Sequence, residues 1–182
     1  MLSRLGLVLA LILLRAAPTL AAELRDLQPA VVDGRVEVSF QLADAFGDGV
    51  MERIQSGLPT SFVYRVTLLR DRHRWWNDEL AEATLEVVAM YNAVSQEYLV
   101  NFKRDGKLVE SRLARSRAEL ESAMTRFERV PMFTTSDLQG GPGSRFLLKA
   151  RAELGSKTWL SFIPIHVDTD WTASRKFQLR EP

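Results

Sequence analysis

The chain has 182 residues, with 24 Lys+Arg, 23 Asp+Glu, two His, no Cys and a formal charge of +1. A content of 46% hydrophobic and 26% charged residues is that of a globular protein and excludes a disordered or collagen-like chain. The absence of Cys excludes disulfides, thiolate metal sites, cysteine nucleophiles and a lipidated N-terminal Cys.

Residues 1–22 read as a secretory signal peptide. Arg4 gives a basic start, Leu5 to Leu14 is an unbroken apolar run, and small residues follow as far as Ala22. The apolar run is too short to span a bilayer, which needs roughly 20 residues. Processing after Ala21 or after Ala22 fits the pattern, and retention as an N-terminal anchor is the alternative. The leader carries Arg4 and Arg15 and no acid. A chain processed after Ala22 therefore has 22 basic against 23 acidic residues, a formal charge of −1. The mildly basic pI of about 8.1 is partly a property of the leader. Residues 23–182 are expected to form a single domain.

Period-two alternation dominates that domain. Leu24–Val32 and Arg35–Ala43 flank Asp33-Gly34, the signature of a two-residue hairpin turn with positive φ at both positions. Asp48–Gln55 reads as a short helix capped by Asp48 and ended by Gly57. Ser61–Asp71 is a long strand with Phe62, Tyr64, Val66 and Leu68 on one face. Glu82–Tyr91 and Glu97–Arg104 form an antiparallel pair. Asp105-Gly106 turns the chain into Lys107–Leu113.

Ser116 opens a second helix through a capping box with Glu119. Leu120, Ala123, Met124 and Phe127 follow at helical spacing, and Pro131 is expected to stop it. Residues 139–144 are a Gly-rich loop. Phe146–Leu154 alternates as a half-buried strand, and a last short strand is expected near Arg175–Arg180. About eight strands and two short helices make the fold mainly β. The expected architecture is an antiparallel β-sandwich, and an immunoglobulin-like topology is one arrangement the pattern allows.

These landmarks resemble a bacterial exported-protein family, domain of unknown function 4390. The resemblance rests on Arg35-Val-Glu-Val-Ser-Phe-Gln-Leu42, Ile54-Gln-Ser-Gly-Leu-Pro59, Trp75-Trp76-Asn77-Asp78, the Tyr91…Tyr98 hairpin and Asp170-Trp171-x-x-Ser174. It implies a location in the periplasm or envelope of a Gram-negative bacterium and gene neighbourhood with a membrane sensor kinase. It implies no activity, cofactor or active-site residue.

The densest cationic and aromatic cluster is Arg70-Asp-Arg-His-Arg-Trp-Trp76. On an extended strand Arg70, Arg72 and Arg74 share one face, while Asp71, His73 and Trp75 share the other. Such arginines can grip phosphate or carboxylate, with Trp75 and Trp76 at an interface or stacked on a ligand. The plainer alternative is a strand end with solvated arginines and tryptophans that cap the core. Arg outnumbers Lys 19 to 5 in the whole chain, which lowers the weight of any single arginine cluster.

His73 has Asp71 and Asp78 nearby as orienting partners for a base. No nucleophile elbow or metal-spaced second His accompanies it or His166. Asp168 and Asp170 could offer oxygens to calcium, but the rest of an EF-hand loop is missing. No cofactor motif occurs, and no basic stripe with interleaved aromatics marks a nucleic-acid binder.

The expectation is a non-catalytic exported envelope protein, a binding or accessory module for a partner such as a sensor kinase ectodomain. Two alternatives stay open. One is an anionic lipid or glycan binder acting through Arg70, Arg72, His73, Arg74, Trp75 and Trp76. The other is an envelope hydrolase with an unrecognised site.

Overall fold

Tight turns and strand alternation set the course of the chain. The computed structural model describes residues 21–72, 76–140, 143–159 and 163–178, and within these the side chains at 48 and 156–167 fall outside the description. Residues 1–20 of the expected leader lie outside the described residues. Strand β1 (Glu23–Val32) turns into β2 (Arg35–Ala43) through Asp33 and Gly34, whose φ values of 47° and 74° are those of the expected turn. Helix α1 (Asp48–Gln55) follows. Then β3 (Thr60–Arg70), β4 (Asp78–Asn92), β5 (Glu97–Arg104) and β6 (Lys107–Ala114) form a continuous meander. Asp105 and Gly106 repeat the positive-φ turn between the last two. Helix α2 (Arg117–Thr125), β7 (Arg126–Thr134), a 3-10 turn (Thr135–Asp137), β8 (Phe146–Trp159), β9 (Ile163–Asp168) and β10 (Thr172–Ala173) complete the described elements.

Every strand pairing is antiparallel. One sheet has the order β1-β2-β7, and the other β10-β8-β3-β4-β5-β6, with β9 also paired to β8. Among the described residues this is the expected mainly β sandwich with two short α-helices. The inner face of β2 (Val36, Val38, Phe40, Leu42) meets that of β3 (Phe62, Tyr64, Val66, Leu68), and all eight side chains are buried. The outward residues between them are mostly polar, so a one-residue slip would bury charge. That locks the register.

The centre of the core is aromatic. The rings of Phe40, Tyr64 and Phe127 lie 4.8 to 5.1 Å apart, joining β2, β3 and β7 across both sheets. The Tyr64 hydroxyl donates to the carbonyl of Met124 at 2.5 Å, in the last turn of α2. A buried phenol needs such a partner, and so does a helix-end carbonyl.

Three sequence expectations are corrected. The cap of α1 is Gly47 with no side-chain hydrogen bond, and Asp48 is the first helical residue; Gly57 ends the helix at φ 80° as expected. Helix α2 stops at Thr125, six residues before Pro131, and Phe127 belongs to β7. The Tyr64 bond ties down Met124, and the next ring of the core cluster is reached only if the chain extends at once. Arg126 does so, with φ −119° and ψ 124°. Pro131 sits inside β7, which its edge position permits because no second neighbour requires an N–H there. Finally, the terminal strand is Thr172–Ala173 instead of Arg175–Arg180. Phe177 adds one bridge to Phe146, and residues 179–182 lie outside the described residues.

Along its outer edge β8 is closed by β9, β10 and Phe177 in turn. Where the backbone ladder lapses, side-chain hydroxyls replace carbonyls. Thr169 Oγ1 accepts from the Ala152 N–H and Ser174 Oγ from the Leu148 N–H, both at 2.9 Å. Thr172 Oγ1 donates to the Leu24 carbonyl at 2.8 Å, binding this segment to β1.

Tyr64→Phe removes one hydroxyl and leaves the Met124 carbonyl without that donor. Equilibrium unfolding should show a loss of about 1–2 kcal/mol. Burial pushes the Tyr64 phenol well above its ordinary value of 10.0. Its contribution is therefore complete below pH 10 and declines as pH rises above it, because the unfolded chain ionises first. Tyr64→Phe should lose less stability than the wild type between neutral and strongly alkaline pH.

Candidate functional site

The Arg70–Trp76 cluster lies in the β3–β4 hairpin loop. Strand β3 ends at Arg70, which pairs with Asp78 at the start of β4. Arg72 lies past the strand end, so the expected alternation does not extend to it, and Arg74 lies outside the described residues. Two carboxylates organise what is described. Asp78 Oδ2 receives Arg70 Nη2 at 2.5 Å and Arg72 Nη2 at 2.6 Å. Arg70 also donates to the Gln139 carbonyl at 3.1 Å. Asp71 turns inward to 8% side-chain exposure and meets Arg145 Nε at 3.2 Å and Lys176 Nζ at 2.9 Å. The hydrogen bond from Arg70, with the charge of Arg72 beside it, holds Asp78 below the ordinary aspartate range against partial burial.

Arg70 and Arg72 are thus brought together, on a carboxylate of the chain itself. Four cations around two carboxylates still leave an excess of positive charge. Trp76 stands beside them 90% exposed, so it does not cap the core. His73, Arg74 and Trp75 lie outside the described residues. The two aspartates that could have oriented His73 are engaged by Arg and Lys.

The other chemical candidates sit elsewhere. Asp168 pairs in register with Glu153, whereas Arg70 pairs with Phe146 at the far end of the same strand. Seven positions along β8 separate them, roughly 23 Å at strand rise. Asp168 and Asp170 are both exposed, and Asp168 faces Arg151 Nη1 at 3.7 Å. The His166 side chain is outside the description. Among the described residues no group of three His, Cys, Asp or Glu is gathered closely enough to hold a metal ion.

A different surface was missed in the sequence. The three-stranded sheet is narrower than the one it faces. Strand β1 lies against β8 and β10 and β7 against β4, so β5 and β6 extend beyond it. Helix α2 covers one end of this overhang. The rest is an open groove of about 730 Å³ between β6 and β7. Leu85, Phe102, Val109 and Phe127 line its apolar part. Its rim has balanced charge: Glu110, Glu119 and Glu128 against Arg112, Arg126 and Arg129. Arg112 lies 4.8 Å over the Phe102 ring and donates through Nη2 to Glu110 at 2.9 Å.

Opposite the groove floor, β7 is shaped by a bulge. Glu128 and Arg129 together oppose Ser39, Arg129 has φ 52°, and its N–H donates to Ser39 Oγ at 3.0 Å. Reading Arg126–Val130 as helix hid this wall. The alternation of Arg126, Phe127 and Glu128 was the signal available.

The sequence model of the family described as Domain of unknown function (DUF4390) matches residues 20–174, and the chain belongs to that family. No curated protein and no solved structure matches it.

Asp78→Asn should leave Arg70 and Arg72 without their shared counter-charge and lower stability at neutral pH. A carboxyl held below its ordinary value contributes above the unfolded pKa of 3.8, and that contribution is lost as pH falls through the folded value. Urea unfolding of wild type and Asp78→Asn should therefore differ at pH 7 and converge in strong acid.

Proposed function

We propose, for this member of the DUF4390 family, a non-catalytic role as an exported binding module of the cell envelope whose recognition surface is the groove between β6 and β7. The observation that carries the reading is the groove itself: about 730 Å³, apolar within and rimmed by balanced charge. That size is in the range of ligand clefts, and an apolar centre inside a polar rim is the anatomy of a protein interface. Balanced charge on the rim favours a protein partner over an anionic surface. The partner proposed first is the ectodomain of a membrane sensor kinase, the class implied by the resemblance. The order of basic, apolar and small residues in the first 22 positions supports export to the periplasm. Among the described residues no helix is long and apolar enough to cross a membrane.

A photocrosslinking residue at Ser122, exposed on the groove wall, should capture the kinase ectodomain in envelope preparations. The same residue at Val94, in the β4–β5 turn and 95% exposed, should not. Identical products from both positions, or none from Ser122, would remove the reading.

One observation favours a second reading, an anionic lipid or glycan binder. Trp76 is 90% exposed beside cations that outnumber their carboxylates. An aromatic at such a position is suited to a membrane interface or a sugar face. In this reading Trp76→Ala and Arg72→Ala weaken salt-sensitive retention on anionic liposomes or lipopolysaccharide, each by several-fold. Retention unchanged by both would exclude it.

A further inference from the structure

We infer that β6 is a self-pairing edge, through which two copies of this chain join β6 to β6 antiparallel about a two-fold axis centred on Ser111. The inference does not rest on the proposed kinase partner, although Val109, Glu110 and Arg112 also belong to the groove.

Among the described residues strand β6 is hydrogen-bonded on one side only, to β5. Seven of its eight residues are exposed. Leu108, Val109 and Leu113 are exposed by 60%, 58% and 58%, an unusual apolar load for an uncovered edge. Charged residues on an edge strand ordinarily block pairing. Here their spacing does the reverse.

In an antiparallel pair, facing side chains point to the same side of the sheet. A two-fold axis must therefore pass opposite a residue and never between two. Three central axes are available. Centred on Glu110, the axis sets Glu110 against its own copy. Centred on Arg112, it sets Arg112 against its own copy. Like charges directly opposite destabilise a pair.

Centred on Ser111, the axis sets Glu110 opposite the second copy's Arg112, and Arg112 opposite the second copy's Glu110. Val109 then faces the second copy's Leu113, twice over. Only this axis matches both charge and apolar character, so the sequence Val-Glu-Ser-Arg-Leu is complementary to its own reverse. Within one chain Arg112 already bonds Glu110 and is supported by the ring of Phe102. The two intrachain pairs would close into a ring of two carboxylates and two guanidiniums. The partner's chemistry is thus fixed as a second copy of this chain.

The test uses the full chain, purified as the cell processes it, in sedimentation equilibrium over a range of concentrations. The wild type should show a concentration-dependent dimer. Glu110→Arg and Arg112→Glu should each weaken the dimer at least about tenfold, because each replaces both attractive contacts with repulsive ones. An equimolar mixture of the two variants should pair again with wild-type strength, since Arg at 110 then meets Glu at 112. Unfolded variants could not recombine, so the mixture separates loss of contact from loss of fold. Ser111→Pro should give a folded monomer. A wild type that is monomeric throughout, variants that dimerise like the wild type, or a mixture that fails to recover would each overturn the inference.

Discussion

A phenol in the middle of the core must find an acceptor, and the acceptor available to Tyr64 is a carbonyl at the end of a helix. That one bond links three levels of the structure. It places the end of α2 over the centre of the large sheet. It brings the chain out of the helix where Phe127 can complete the ring cluster with Phe40 and Tyr64. It also starts β7 at Arg126, from where that strand pairs with β2 and walls the groove. Because β7 is the last strand of the narrow sheet, where it starts decides how much of β5 and β6 stays uncovered. The recognition surface proposed for the protein is thus a consequence of how the core satisfies one buried hydroxyl.

Electrostatics follow a recurrent scheme. Asp71, Asp78 and Glu153 each hold two cations: Arg145 and Lys176, Arg70 and Arg72, and Arg65 and Arg151. A single carboxylate offers enough lone pairs for two such donors, and a planar guanidinium can approach from the side. These hubs join β3, β8 and their neighbours. Exposed pairs of this kind contribute little singly, and networks contribute more. Arg65, Arg70, Arg72, Arg145 and Arg151 are thus engaged by carboxylates of the chain itself, and a cationic run read in one dimension overstated the charge offered to a ligand.

Local signals were legible where the residue itself carries the geometry. Asp33-Gly34 and Asp105-Gly106 had the backbone that such turns require. Ser116 caps α2 as read, with its hydroxyl accepting from the Glu119 N–H at 3.1 Å. The return bond of Glu119 goes to the Arg115 N–H, one residue earlier than in the standard box. Tyr91 and Tyr98 face each other across their hairpin with rings 5.0 Å apart. What failed was decided by distant partners. Met124 and Phe127 share a helical spacing, but Tyr64, sixty residues earlier in the chain, separates them into different elements. Pro131 looked like a helix stop because edge position cannot be seen without sheet order. The groove was invisible for the same reason, since it exists only through the unequal width of two sheets. Asp78 was legible as part of a motif, while its role as counter-charge to Arg70 and Arg72 needed the hairpin register.

The hydrogen bond from Thr172 to Leu24 closes a loop across 148 positions of the chain. Contacts so far apart in sequence form late, since the intervening chain must first be confined. Strand β1 therefore waits for the segment that seals β8 before its own surroundings are complete. During synthesis, the chain as far as Thr172 has to emerge before the cooperative unit can close. Until then the nascent chain stays extensible. A polypeptide with this property remains threadable through a narrow pore until that late segment has been made.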